Sequence, residues 1–290
     1  MELLQNTIFS KKHKLTNLFD NYEAFFFDIW GVLHEGGDLY PGVANIVNSL
    51  IDNNKIVRIV SNIPRPRSNP ANYLINQGMN IEENMIFTSG EVTRSMLRES
   101  KKYFADEIKN IYHIGQDRNS EILNYLNISF ASHPAEADLV LITAYRDANE
   151  DHADVIKMLE LAHAYNKIVL CANPDTEVLH IGNIRFCAGF FAKIYEKLGG
   201  KVMYVGKPDN VIFEECKKSF VSHNARILMI GDTFETDIRG ANNCHIDSAL
   251  VLTGNTKTLM NKTGISDQMQ AINKVCFSQN LLPKYLIELE

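Results

Sequence analysis

Nine short apolar runs, each ending in a polar or glycine-bearing turn, constrain this chain more than any other feature. They are Ala24–Ile29, Lys55–Ser61, Met85–Thr88, Ile111–Ile114, Leu139–Thr143, Ile168–Ala172, Val202–Val205, Ile227–Ile230 and Ala249–Leu252. Amphipathic stretches follow them; Val43–Asn53, with apolar positions at helical spacing, is the clearest. A strand that is apolar along its whole length is buried on both faces. In alternation with helices, that pattern predicts an α/β protein built on a parallel sheet with helices on each side. No internal repeat, low-complexity segment or Ser/Gly-rich linker interrupts the series, so a second domain is expected as an insertion.

Composition removes whole classes of function. The chain has 290 residues, a formal net charge of −6 and 45 % hydrophobic content, which excludes a disordered chain. The acidic balance and the lack of a Lys/Arg block argue against nucleic acid. No apolar run approaches the roughly 18–20 residues of a membrane helix. The opening MELLQNTIFSKKHK lacks the basic, apolar and small-residue order of a signal peptide. Five scattered cysteines without a CxxC pair read as reduced, buried thiols. The expectation is a cytoplasmic protein.

Ligands of open parallel sheets bind beyond the carboxyl ends of the strands. Four run ends carry reactive groups: Asp28 through Val32, Ser61-Asn62, Gly206-Lys207-Pro208, and Gly231-Asp232-Thr233 with Asp237 five residues after Asp232. The middle runs, residues 111–172, lack this set, which is the first sign of a core carrying an insertion. Three carboxylates at one sheet edge repel one another, and a hard divalent cation such as Mg²⁺ resolves the conflict. Lys207 and Ser61 add the point charge and hydroxyl donor that a phosphate needs. Taken singly, each of these residues also reads as an ordinary cap, turn or strand exit. Their order and common placement set them apart.

FFFDIWGVL, IVSN, VGKP and IGDTFETDIRGA resemble, in order, the four motifs of the haloacid dehalogenase (HAD) superfamily. NPDT (Asn173–Thr176) and AGFFAKIYEKLGGK (Ala188–Lys201) resemble the end of the insertion in its class IIA, NagD-like phosphatase branch. The resemblance covers nearly the whole chain, and GDTxxTD is its most specific piece. It implies a Rossmann-like, doubly wound core (residues 1–89 and 201–290) with a smaller C2-type α/β cap (residues 90–200). It further implies a Mg²⁺-dependent phosphatase that passes through an aspartyl-phosphate on Asp28. Asp28, the Trp30 carbonyl and Asp232 would bind the metal, with Asp237 holding metal-bound water. Ser61 and Lys207 would grip the phosphoryl group, and Asn62 would assist. The partner is a small phosphorylated metabolite, with neither nucleic acid nor membrane. A homodimer also follows from the resemblance, although no stripe in the sequence demonstrates one.

One departure matters. Phosphatases of this superfamily usually carry an acid/base Asp two residues after the nucleophile, where this chain has Trp30, its only tryptophan. An indole cannot relay a proton at useful pH, and such help is worth about 10²–10⁴ in rate. Three consequences compete. His34, Glu35 or Asp175 supplies the proton; the substrate has a good leaving group; or turnover is slow, down to a phosphometabolite-binding protein. A narrow nucleotidase or sugar phosphatase is a further reading. Trp30 itself reads equally as packing at the core–cap junction or as a wall for substrate. For specificity, Arg65, Tyr145, Arg146, Asn173 and Asp175 are the expected substrate contacts.

Overall fold

A computed structural model of the chain describes residues 9, 11–144, 152–181, 183–220 and 225–289. In chain order the strands are β1 (His13–Lys14), β2 (Ala24–Phe27), β3 (Ile56–Ser61), β4 (Ile86–Thr88), β5 (Asn110–Ile114), β6 (Ser129–Phe130) and β7 (Leu139–Ile142). They continue with β8 (Val169–Cys171), β9 (Glu177–His180), β10 (Asn183–Phe186), β11 (Val202–Tyr204), β12 (Ile227–Gly231), β13 (Asp247–Val251) and β14 (Tyr285–Glu288). Each of the nine apolar runs contributes a strand.

Seven strands form the main sheet in the order β1-β14-β13-β12-β2-β3-β4, and their pairings are all parallel. The chain fills this sheet outward from β2 in one direction and outward from β12 in the other. The crevice where the direction reverses therefore lies at the carboxyl ends of β2 and β12.

Burial along β2 shows why it is apolar throughout. Phe25 and Phe27 pack with Val47 and Leu50 of the helix Val43–Asp52, while Ala24 and Phe26 face a second cluster with Ile212 and Phe213 of the helix Asn210–Lys218. Fully burying each such side chain is worth about 1.5–3 kcal/mol.

The second sheet, ordered β11-β8-β7-β5-β6 and also parallel, is built between β4 and β12. On one face the helices His152–Ala164 and Ala188–Lys197 cover Val140, Ile142 and Val169. On the other, Ile111, Leu139 and Leu170 share a cluster with Val92 and Met96 of the helix Ser89–Arg98 and with Phe26 and Val60 of the main sheet. The two sheets thus meet through continuous apolar packing rather than a wet hinge.

One expected boundary moves. The sequence places residues 201–290 in the core, but β11 pairs with β8 in the second sheet. The reason is in the register: Val202, Met203 and Tyr204 run alongside Val169, Leu170 and Cys171, and the chain returns to the main sheet only after Val205. The two-stranded hairpin β9–β10 lies apart from both sheets. No described helix is long and apolar enough to cross a membrane.

Candidate active site

Asp28 leaves β2 where the chain must turn. Its amide donates to the Ile230 carbonyl (2.9 Å), continuing the β2–β12 ladder by one residue. Gly31 then takes a left-handed φ of +83°, and a Cβ there would lie 2.1 Å from Asp232 Oδ2. Only glycine allows the turn and this approach together. Within the turn the Trp30 carbonyl accepts none of the described hydrogen bonds, because Gly31 N bonds to His34 O and the neighbouring amides converge on Ile29 O.

Asp28, Asp232 and Asp237 each present a carboxylate oxygen, and these oxygens lie within 4.8 Å of one another. All three residues are buried, at 7 %, 2 % and 0 % exposure. Lys207, 1 % exposed, places Nζ 2.6 Å from Asp28 Oδ1 and 2.6 Å from Asp237 Oδ1. Asp237 Oδ2 accepts from the Asp232 and Thr233 amides (3.1 and 3.2 Å), so both of its oxygens are engaged. Asp28 Oδ2 has no described donor, and the residue lines a cavity of about 190 Å³.

The charges are set by burial against pairing. Burial pushes the Asp28 carboxyl well above its usual range, against the pull of Lys207, and Asp237 and Asp232 add to the rise. Burial and Asp237 push Asp232 up to about 7. Burial opposes the charge on Lys207, but Asp237, Asp28 and Asp175 more than reverse it and hold it protonated. Three carboxylates with one cation leave an excess of negative charge that favours a hard cation. The donor set fits Mg²⁺: carboxylate oxygens of Asp28 and Asp232, the uncommitted Trp30 carbonyl, and Asp237 positioned behind them.

Ser61, at the end of β3, is buried, and its Oγ accepts from the Ile63 amide (3.3 Å). Asn62 ties three elements together. Its Oδ1 accepts from Lys207 N (2.7 Å), and its Nδ2 donates to Lys207 O (3.1 Å) and to Asp175 Oδ1 (3.0 Å). Asn173 Oδ1 accepts from the Asp175 amide (3.1 Å), which makes it a turn-former as well as a cavity residue. Arg65 reaches the same cavity. Tyr145 and Arg146, also expected to contact substrate, lie outside the described residues.

Trp30 turns its side chain to the hairpin. Nε1 donates to the Leu179 carbonyl (2.7 Å), and the indole stacks on His180 with ring centroids 5.4 Å apart. The Ile181 amide donates to Glu35 O (3.1 Å), a second tie between the nucleophile loop and the hairpin.

Two of the three expected substitute acids are otherwise employed. Burial drives His34 down to about 4, and its Nδ1 accepts from the Gly36 amide (2.9 Å), so it is neutral. Burial opposes the charge on Glu35, but Lys257 and the Gly254 amide contribute to holding its carboxyl below the ordinary range. Asp175 differs: burial pushes it up to about 6, and it lines the cavity with Asp28.

The loop after β13 was missed from sequence. Asn255 N donates to Asp232 Oδ2 (2.6 Å), Thr256 Oγ1 to Asp232 O (2.9 Å) and Thr253 Oγ1 to Gly31 O (2.6 Å). The signal was present: Thr253-Gly254-Asn255 is another polar, glycine-bearing end of an apolar run.

Known proteins resemble this chain in sequence and in fold. Residues 25–129 match a family of haloacid dehalogenase-like hydrolases, and residues 204–273 match a second model of HAD-hydrolase-like proteins. The ribonucleotide monophosphatase NagD of Escherichia coli is 26 % identical over 230 residues, spanning 78 % of this chain and 86 % of its own. A dihydroxyacetone phosphatase of Corynebacterium glutamicum is 25 % identical, over 80 % of this chain and 81 % of its own. A haloacid dehalogenase-like hydrolase structure from Brucella suis superposes with a TM-score of 0.73 at 29 % identity, covering 83 % and 89 % of the two chains. A possible sugar phosphatase of the HAD superfamily from Cytophaga hutchinsonii superposes at 0.78, with 24 % identity and 97 % and 98 % coverage.

Proposed function

The chain belongs to the haloacid dehalogenase superfamily, in its NagD-like branch, and is a phosphoric monoester hydrolase; from this premise we propose that it cleaves a small-molecule phosphate ester with Asp28 as the nucleophile and Mg²⁺ as its cofactor. The observation that carries this reading is the buried cluster of Asp28, Asp232 and Asp237 around the Lys207 ammonium. A cluster so costly to bury is retained where its charge is used.

Asp28, Asp232 and the Trp30 carbonyl would hold the metal, which supplies Lewis-acid neutralisation of the phosphoryl oxygens. Asp28 Oδ2, which accepts no hydrogen bond among the described residues, attacks phosphorus and forms an aspartyl-phosphate as the ester oxygen departs. Lys207 moves no proton: it neutralises charge on Asp28 and then on the phosphoryl group. Ser61 Oγ donates to a phosphoryl oxygen, and Asn62 fixes the Lys207 backbone that places the ammonium. Trp30 offers no proton to the leaving group. Asp175 is the remaining candidate among the expected acids, and it stands on the cavity wall with a carboxyl that burial pushes up to about 6.

Sugar phosphatase and nucleotidase readings both draw support from relatives, one named for dihydroxyacetone and one for ribonucleotides. The protein reads as cytoplasmic.

The test is Mg²⁺-dependent hydrolysis of p-nitrophenyl phosphate, whose leaving group needs no acid. Asp28→Asn should abolish it, and undiminished activity in that variant would refute the assignment. Rapid-quench sampling of wild type should show a burst of phosphoenzyme, because water attack lacks the usual base. Trp30→Asp should shorten the lifetime of that species; steady turnover with no burst would count against slow hydrolysis.

A further inference from the structure

We propose that the cavity holding Asp28 contains a second anion subsite, formed by Arg65, Arg118 and Arg185, so that the substrate is a short phosphate ester bearing another anionic group. The proposal rests on the reading of Asp28 as the phosphoryl-accepting end. All three arginines line the same cavity of about 190 Å³ as Asp28 and Ser61. They come from three places: the segment after β3, the loop after β5, and the hairpin strand β10.

Arg65 is a built element of this wall. Its Nε donates to Asn119 Oδ1 (2.9 Å), and Asn119 is itself buried. Asn119 Nδ2 donates to Thr143 Oγ1 (3.3 Å), which lies 2.9 Å from His113 Nε2. A relay of Asn119, Thr143 and His113, from β5 and the segments that follow β5 and β7, thus holds the guanidinium through its inner nitrogen. Neither terminal nitrogen donates a hydrogen bond among the described residues, which leaves the fork geometry that suits a carboxylate or phosphate open to a ligand.

The charge balance points the same way. Among the described residues, no ion pair involves Arg65, Arg118 or Arg185. Glu121, the acid that acts on Arg65, also accepts a hydrogen bond from Asn69 Nδ2 (3.4 Å). Burial and the neighbouring Arg118 both lower the pKa of Arg65, and Glu121 reverses them only in part. The transferring phosphoryl group has its own cation in Lys207, so it does not account for the arginines. Arg65 is half-buried and held by the buried relay, while Arg118 and Arg185 are exposed side chains that line the same cavity. The volume sets the scale of the ligand: it is below the roughly 300–1,000 Å³ of pockets for drug-sized molecules, and suits a chain of a few carbons between the two anions.

Calorimetric titration of the non-hydrolysing Asp28→Asn protein tests this with two nearly isosteric esters, phosphoglycerate and glycerol phosphate, which differ by a carboxylate in place of a hydroxymethyl. Phosphoglycerate should bind at least about tenfold tighter, and adding Arg118→Gln or Arg185→Gln should bring the ratio toward one. A parallel pair, a sugar bisphosphate against its monophosphate, tells whether a second phosphate is taken as well as a carboxylate. Equal affinity within both pairs, no measurable binding of either dianionic ligand, or a preference unmoved by both arginine variants would overturn the proposal. Hydrolysis of p-nitrophenyl phosphate by wild type and by Asp28→Asn reads the nucleophile assignment separately. Activity that survives in Asp28→Asn with the binding preference intact would refute the assignment and leave the subsite standing.

Discussion

Replacing Lys207 with methionine removes the one cation that sits within 2.6 Å of both Asp28 and Asp237, and keeps most of the side-chain volume. At 2.6 Å and an effective dielectric constant of about 20, each contact carries about 6 kcal/mol of Coulomb attraction before desolvation is charged against it. Lys207 also pays to be buried, so the measured cost will be smaller. Removing one partner of a buried pair typically costs about 3–5 kcal/mol. That range is the expected loss of folding stability for Lys207→Met in a chelator at about pH 7.5. The loss should shrink as the pH falls toward 5, because Asp28 and Asp232, already raised, rise further without the ammonium and take up protons in the folded state. Millimolar Mg²⁺ should restore part of the difference by supplying the missing positive charge. Urea unfolding followed by fluorescence measures all three effects, provided the denaturant slope stays constant. A variant with the wild-type midpoint at about pH 7.5 in chelator would refute the claim that Lys207 holds this cluster together.

Other outcomes follow from the same geometry. Asp232, raised to about 7, binds more protons folded than unfolded between about pH 4 and 7, so its contribution makes metal-free stability fall as pH rises through that window. Mg²⁺ binding should strengthen over the same window and release protons, and a pH-independent affinity would contradict the assignment. Gly31→Ala should cost about 1–3 kcal/mol from the left-handed backbone alone and weaken Mg²⁺ binding by displacing Asp232, both readable by thermal unfolding with and without metal. Asp175→Asn should slow glycerol phosphate hydrolysis by about 10²–10⁴ and p-nitrophenyl phosphate far less, if Asp175 protonates the leaving group. Equal slowing of both would show that it acts only by holding Asn62.

The main sheet was legible because its strands are buried on both faces and so stand out as apolar runs. The hairpin β9–β10 is not buried in that way, and its strands carry Glu177, His180, Asn183 and Arg185 among the apolar residues. It leaves no apolar run, so a rule that searches for such runs passes over it. The site residues at strand ends were legible for the same reason as the strands. Asn119, Thr143 and the Arg65 they help to place were not, because that wall forms only where the second sheet folds against the segment after Ser61. The strand Val202–Tyr204 shows the converse limit: an apolar run announces a strand but does not say which sheet will take it.

Position 30 separates two roles that sequence comparison runs together. Its backbone carbonyl accepts none of the described hydrogen bonds and is present whatever side chain the residue bears, so the proposed metal-binding role of the loop does not require an acid there. Its side chain reaches away to the hairpin, where the indole donates to Leu179 O and lies against His180. Gly36 is fitted to the same contact: a Cβ there would come 3.0 Å from His180 Nε2 and 3.1 Å from Trp30 Cη2. An aspartate at position 30 is too short to keep this tie, and it would leave the Leu179 carbonyl without its indole donor. The hairpin that Trp30 anchors also carries Arg185. The residue that leaves this loop without an acid at position 30 thus also ties the loop to the hairpin that carries Arg185, so Trp30→Asp should weaken the preference for a second anion as well as shorten the phosphoenzyme lifetime.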